Sequence, residues 1–542
     1  MTLFAIGLAL SCSVIAWRTW HRLKHFIHMS QLHGYKAGEY LAWLFSRGRS
    51  LIVRPSHFAT LVIVIVVFVF GDESAPTILG AVAAFAGIII FASAVDYLKP
   101  VVKKPLKFTA RAKRLLAGSL FVMTAAAMAS LLAVEKTGGD MVPALLLGVA
   151  ATIEFVVPFA VLLGGILTLP IEKGIQSGYK RKARKKLDAM PHLQVIAITG
   201  SYGKTSVKFA IAEILKQRFN VLATPGSFNT PMGICLVINR DLKPEHQVLI
   251  LEMGARYVGD IQELCDIATP NVGVVTNVGI AHLDTFGNQK TIAREKGTLV
   301  ENVPAEGLVV LNVDDPLVRE MKSRTTASVA FAGLDSAESE LRVSEIEYGS
   351  SGSSFLLSND EGETAPVQTP VVGKHNIHNI LVAATVGVHF GLRLRQVAHA
   401  ASRIQPVEHR LQVKQSGDIT IIDDAFNSNP VGARNAVDIL GQFPGNRRII
   451  VTPGMIELGD RHYDENHALG EAIASNVDVA ILIGRNQTKP IQDGLNKHSF
   501  PKEQLHVFNS LREAQDFLSS FKQAGDVILY ENDLPDQFDE AA

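Results

Sequence analysis

Residues 199–206 read Thr-Gly-Ser-Tyr-Gly-Lys-Thr-Ser. They follow the apolar run Val195-Ile196-Ala197-Ile198 and precede an amphipathic stretch, 207–219. A strand, a glycine turn and a helix in that order make a phosphate cradle, because the tight turn points backbone N–H groups and a helix N-terminus at an anion. Lys204 is placed to reach terminal phosphates, and Thr205 to offer a hydroxyl to Mg²⁺. Only Ser201 and Tyr202 separate Gly200 from Gly203. This loop is shorter than the G-x-x-x-x-G-K-[ST] of motors and GTPases, and the shortening points away from them.

The chain has 542 residues, which suggests several folded units. Lys plus Arg and Asp plus Glu are both 52, so charge gives no case for a nucleic-acid partner, and none is expected. Cys12, Cys235 and Cys265 are odd in number and far apart. They suit a reducing compartment, with Cys235 and Cys265 buried.

Five apolar stretches precede the loop, at about 2–17, 57–70, 76–98, 115–134 and 141–170. The first lacks the basic flank and cleavage site of a signal peptide and reads as a retained anchor. Basic segments at 18–54, 99–114 and 173–186 alternate with short, weakly acidic connections. By the positive-inside rule this predicts a multi-pass protein of the cytoplasmic (inner) membrane, with the N-terminus outside and the soluble part in the cytoplasm. Trp17, Trp20 and Trp43 would lie at the inner interface, and 31–45 would lie along it as an amphipathic segment. Glu154 falls inside the fifth stretch, facing a neighbouring helix or serving a function. The run 180–186 reads as a stop-transfer flank or an anionic-lipid contact.

From Leu193 onward, short β-branched runs alternate with helical patterns, which predicts α/β units with mostly parallel sheets. Residues 333–369 read as a small antiparallel flap, and a boundary falls near Ile404-Gln405-Pro406. The expected division is a membrane region at 1–186, an ATP-binding domain at 187–403 and a smaller Rossmann-like domain at 404–542.

These ordered motifs resemble the Mur ligase family, over roughly the last two thirds of the chain, and within it the branch that adds D-alanyl-D-alanine. Residues 199–206 are similar to the family's shortened phosphate loop, so the resemblance assigns Gly200, Ser201, Gly203, Lys204, Thr205 and Ser206 to ATP. Gly226 to Gly233 resembles an asparagine loop near the first substrate, which makes Asn229 and Thr230 substrate residues. The resemblance gives Glu252 and His282, with Thr205, to the metal, and implies two Mg²⁺ sites. Lys296 matches a lysine carbamylated by CO₂, and the expected catalytic residues are Lys204, Lys296 and His282. Gly373 to Asn379 resembles the adenine-side motif, with Asn376 and Asn379 on the nucleotide. Arg410 and Asp424 resemble residues that close over ATP. Asn427, and Glu457 in a segment followed by His467, resemble residues on the substrate side.

The implied reaction is ATP-dependent amide formation through an acyl phosphate, of the UDP-N-acetylmuramoyl-tripeptide:D-alanyl-D-alanine type in cell-wall precursor synthesis. Family members begin with a soluble uridine-nucleotide domain, and no soluble segment before Leu193 is long enough for one. Alternatives are therefore a membrane-bound ligase for a lipid-linked precursor or a capsule poly-amino acid, or a membrane scaffold or transporter with a degenerate ligase domain. Partners are a small-molecule or lipid-linked precursor and an amino acid or dipeptide. The sequence does not fix the oligomeric state.

Overall fold

The strand β1 (Gln194–Thr199) is apolar along nearly its whole length and is buried except at its first residue. The strands β3 (Val248–Glu252), β4 (Val272–Val275) and β5 (Leu308–Asn312) are likewise mostly apolar and are buried throughout. Such runs belong in a parallel sheet covered on both faces. In the computed structural model they form one, in the order β2-β3-β1-β4-β5-β6, with β2 (Val221–Ala223) and β6 (Ser328–Ala332) at the edges. All pairs are parallel. The model describes residues 2–46, 49–52, 105–135, 142–280, 283–349, 352–406, 409–425, 428–443, 445–456 and 458–532, with isolated positions between 53 and 104.

The chain divides into two units, residues 1–176 and 177–541. The second unit contains the sheet just described. Chain reversal occurs beside β1, where β3 and β4 flank it on opposite sides, and ligands of open α/β sheets bind at the carboxyl ends of strands at such a point. A second sheet follows in the order β10-β11-β15-β12-β13-β14. Its strands β11 (Ile419–Asp424), β15 (Val527–Glu531), β12 (Arg448–Thr452), β13 (Val479–Ile483) and β14 (Leu505–Phe508) are parallel. The edge strand β10 (Gln412–Ser416) runs antiparallel to β11. The expected flap is present as the antiparallel sheet β7 (Leu341–Gly349), β8 (Gly352–Asn359) and β9 (Thr364–Thr369). Cys235 and Cys265 are buried and free, as expected.

The first unit is helical among the described residues, with helices Thr2–Leu32, Ala37–Phe45, Arg49–Ile52 and Ala110–Glu135 and most of Val142–Asp188. It corrects the multi-pass inner-membrane placement. Among the described residues two helical stretches, Ala110–Leu132 and Thr152–Asp188, are long and apolar enough to cross a bilayer, where five were expected. Helices of that kind also form the cores of soluble proteins, so the pair does not establish a membrane protein. The first stretch lies in Thr2–Leu32, which carries Arg18 and Arg22 fully buried in the bundle. Most of the stretches at 57–70 and 76–98 lies outside the described residues.

Glu154 faces a helix neighbour, since both its oxygens accept from the Arg18 guanidinium. Trp43 packs in a buried cluster with Phe26 and Tyr40. Hydropathy alone does not distinguish apolar helices packed on one another from apolar helices in lipid. The buried ion pair is the feature that an apolar-run count leaves out.

The basic run at 180–186 is also corrected. Lys180 pairs with Glu263, Arg184 Nη1 donates to Asp266 O (2.9 Å) and Lys186 Nζ donates to Ile238 O (2.9 Å). Those carbonyls lie in the last turns of helices Asp260–Ile267 and Pro231–Arg240, where cations complement the helix dipole. Ala183 is buried against the same helices. The run docks a helix end on the first α/β layer.

Candidate active site

The phosphate loop starts where β1 ends. Gly200 has φ +153° and Gly203 φ +77°, and an added Cβ would come within 1.9 Å of Thr276 Oγ1 at the first and 2.8 Å of Asn379 Oδ1 at the second. Both glycines are therefore required by close approach. The following helix, Lys204–Leu215, presents its first N–H groups to the loop. Lys204 is half-buried, and its Nζ donates to Gly200 O (2.7 Å) and Ser201 O (3.2 Å) across the loop. Burial lowers its pKa to about 8, with nearby Arg410 adding to the fall and Glu252 opposing it.

The segment after β4 braces this loop. Asn277 Oδ1 accepts from Tyr202 N (2.8 Å), and Asn277 Nδ2 and Thr276 Oγ1 donate to Tyr202 O (3.2 and 2.6 Å). Ser201 N donates to Asn277 O (3.0 Å), and Gly279 N to Ser201 Oγ (2.9 Å). Thr276 and Asn277 are not among the site residues read from the sequence. The signal that was available is a polar pair at the carboxyl end of an all-apolar strand, where parallel sheets place their sites.

On the other side of β1, Glu252 ends β3 and is 1% exposed. Thr205 Oγ1 donates to its Oε2 (2.8 Å), and Asn229 Nδ2 donates to its Oε1 (3.1 Å). Thr230 caps helix Pro231–Arg240 by accepting from Gly233 N (3.3 Å). The structure thus brings Thr205, Glu252 and Asn229 together, while Thr230 serves the adjoining helix start. Two hard oxygens that share one contact suit Mg²⁺, which takes one or two protein ligands and fills the rest with water and phosphate oxygens. Among the described residues no three His, Cys, Asp or Glu side chains cluster as a metal site. His282 lies outside the described residues, as do Asn427 and Glu457.

Lys296 lies on helix Gln289–Glu301 and is 4% exposed. Burial, then the charge of Lys204, hold its pKa well below the ordinary lysine value. The adjacent Glu295 is committed elsewhere: its carboxylate accepts from Gly259 N (2.9 Å) and Ile261 N (2.8 Å).

A cavity of about 310 Å³ opens beside the loop, lined by Gly203, Ser206, Asn376, Asn379, Arg410 and Asp424 among others. Asn376 Nδ2 donates to Val372 O (2.8 Å), which fixes the start of helix Lys374–His389. His375 Nδ1 and His378 Nε2 are buried with no hydrogen-bond partner among the described residues. His375 is held neutral, its pKa lowered to about 4 by burial and then by His378 and Arg410. His378 was not singled out as a site residue from the sequence, although its i+3 spacing from His375 puts both on one helix face.

Arg410 comes to this cavity from the second sheet's side on an unusual backbone. Its neighbours His409 and Leu411 have φ +59° and +46°. Non-glycine residues there cost about 1–3 kcal/mol each unless the surroundings enforce the conformation. Here two aspartates do so. Leu411 N donates to Asp424 Oδ1 (3.1 Å), and Asp423 Oδ2 meets His409 Nδ1 (2.9 Å) and Lys414 Nζ (2.7 Å). Burial raises the pKa of Asp424 to about 6 against the lowering effect of Leu411 N–H and Arg410.

The chain resembles known proteins in sequence and fold. Residues 198–387 match the Mur ligase middle domain, and residues 409–530 match the Mur ligase, glutamate ligase domain. A UDP-N-acetylmuramoyl-tripeptide–D-alanyl-D-alanine ligase of Mycobacterium leprae is 34% identical over 377 residues, covering 62% of this chain and 70% of that protein. The chain belongs to the Mur ligase family. The ligase of the same name from Mycobacterium tuberculosis is 38% identical over 298 residues, or 54% of this chain. The match spans 58% of the length of that relative. Among solved structures, MurF from Acinetobacter baumannii has a TM-score of 0.60 at 25% identity, covering 66% of this chain and 77% of that one. MurF from Thermotoga maritima in complex with ADP has a TM-score of 0.59 at 25% identity, covering 66% and 80%. In this Mur ligase the two family domains coincide with the two large sheets of the second unit, and the cavity lies where residues of both meet.

Proposed function

We propose that this Mur ligase joins D-alanyl-D-alanine to a UDP-N-acetylmuramoyl-tripeptide at the expense of ATP, with residues 187–403 as its ATP-binding domain and 404–542 as its C-terminal domain. The observation that carries the proposal is the braced phosphate loop, with the Thr205–Glu252 oxygen pair on one side and the Arg410 cavity on the other. The substrate assignment is supported by the names of the relatives.

A carboxylate does not react with an amine directly. Transfer of the γ-phosphoryl group to a carboxylate oxygen gives ADP and an acyl phosphate. The amine then attacks the acyl carbon, phosphate leaves with the C–O bond electrons, and the amine releases a proton. The protein's task is electrostatic. The loop N–H groups and Lys204 hold the phosphates, and Arg410 adds positive charge from the second sheet's side. Asn376 and Asn379, with the orphaned His375 and His378 nitrogens, offer donors and acceptors that fit a purine base. Mg²⁺, held by Thr205 and Glu252, would neutralise phosphate charge when bound.

Lys296 is suited to carbamylation, since its depressed pKa favours the neutral amine that adds to CO₂. The amine nitrogen bonds to carbon and loses a proton, leaving an anion where a cation would oppose Lys204. His282, Asn427 and Glu457 keep their proposed places on the metal and substrate sides. The names of the relatives support a nucleotide-linked acceptor over the lipid-linked alternative.

Purified full-length protein with ATP, Mg²⁺, UDP-N-acetylmuramoyl-tripeptide and D-alanyl-D-alanine should release one phosphate per amide formed. Omitting the dipeptide should abolish product. Turnover with other amines but not with this dipeptide would refute the substrate assignment.

A further inference from the structure

Lys208 is absent from the machinery described so far, yet it is 0% exposed and sits one helical turn beyond Lys204 on the same face. A fully buried ammonium needs both a counter-ion and hydrogen-bond acceptors to be tolerated. Its Nζ has one of each: Oε2 of Glu252 at 3.3 Å, and the carbonyl oxygen of Gly226. Glu252 is the candidate metal ligand. Gly226 opens the loop whose Asn229 touches the other oxygen of the same carboxylate (3.1 Å) and whose Asn229 O accepts from Gly254 N (3.0 Å). One amino group therefore ties three pieces of backbone together: the helix after the phosphate loop, the end of β3, and loop 224–230.

We propose that Lys208 is a positioning residue that holds loop 224–230 against Glu252 and sets how tightly that carboxylate takes a metal. This rests on the ATP-dependent ligation proposed above. The carboxylate that receives the phosphoryl group must lie close to the metal-bound phosphates, and the loop touching Glu252 borders that place. Lys208 then has two separable effects. Its positive charge competes with a divalent cation for Glu252. Its hydrogen bond to Gly226 O fixes the loop wall along which the carboxylate substrate lies. The two effects depend on different properties of the side chain, charge and donor capacity, so two substitutions part them.

The test compares full-length wild type with Lys208→Gln, which keeps a donor without charge, and Lys208→Met, which keeps neither. Mn²⁺ binding by electron paramagnetic resonance, with the metal alone, should tighten by roughly tenfold in both variants, because a like charge beside the ligand is gone. Steady-state kinetics should show the KM for the carboxylate substrate rising roughly tenfold in Lys208→Met and staying within about threefold in Lys208→Gln, with the KM for ATP unchanged in both. Unaltered or weaker Mn²⁺ binding in the variants would overturn the proposal, as would an unchanged carboxylate KM in Lys208→Met. If Lys208→Met does not fold, the Mn²⁺ affinity of Lys208→Gln decides. A wild type that binds Mn²⁺ but ligates nothing would refute the proposed function and leave the charge effect to be judged on the metal titration.

Discussion

Single side chains carry the sharpest consequences. Lys204→Ala should lower ATP-dependent phosphate release by about 10³-fold or more, since its ammonium lies directly across the phosphate loop. Lys296→Ala should also be severely impaired, and acetate should restore part of the rate by supplying the missing anion. Full activity of Lys296→Ala would exclude the carbamate. Glu531 gives a pH-dependent case. It is 0% exposed at the end of β15, accepts from Ser428 Oγ and from Thr452 Oγ1 (2.7 Å), and burial raises its pKa from 4.5 to about 7. A raised carboxyl pKa means that the folded state resists ionisation. Below pH 4.5 the acid is protonated in both states and there is no cost. The cost grows from pH 4.5 to about 7 and is constant above, at about 3 kcal/mol. Glu531→Gln should therefore be more stable than wild type at pH 8 and nearly equal to it at pH 4, as read from denaturant midpoints. Equal differences at both pH values would show that Glu531 is ionised in the fold.

At the scale of elements, the loop and its brace act as one piece. Asn277→Ala removes two bonds to Tyr202, worth about 1 kcal/mol each. It should raise the KM for ATP roughly tenfold while the carboxylate KM stays put. Much of this element-level organisation is legible in the sequence, because its signals are local. An all-apolar strand, a glycine turn and an amphipathic helix are contiguous, and so the loop, β3 ending in Glu252 and the small flap were found. The brace was not found, because Asn277 reaches Tyr202 only through the neighbouring position of β4 and β1, and strand order is not written in any local pattern. For the same reason the sequence showed Asp424 only as a residue that closes over ATP, and gave no role to Asp423. Their work as clamps on the strained segment around Arg410 depends on β10 pairing antiparallel with β11. The basic run at 180–186 misled in the opposite direction: its charges meet helix ends brought together only by the fold.

For the molecule as a whole, the first unit is where hydropathy overreached. Its apolar helices enclose Arg18 and Glu154, each about 1% exposed, as a bidentate pair. Removing one partner leaves an uncompensated buried charge, so Arg18→Ala should destabilise the helical unit by about 3–5 kcal/mol. A separate low-temperature transition by circular dichroism, with ligation at 20 °C preserved, is the expected reading. The second unit carries the proposed chemistry, in which a substrate carboxylate oxygen passes to phosphate. Tripeptide substrate labelled with ¹⁸O in the carboxyl group that is coupled provides the direct measurement, with mass spectrometry of the released phosphate after complete turnover with ATP and D-alanyl-D-alanine. An acyl phosphate route predicts one ¹⁸O atom in each phosphate released. Phosphate without label, formed alongside labelled amide product, would contradict it.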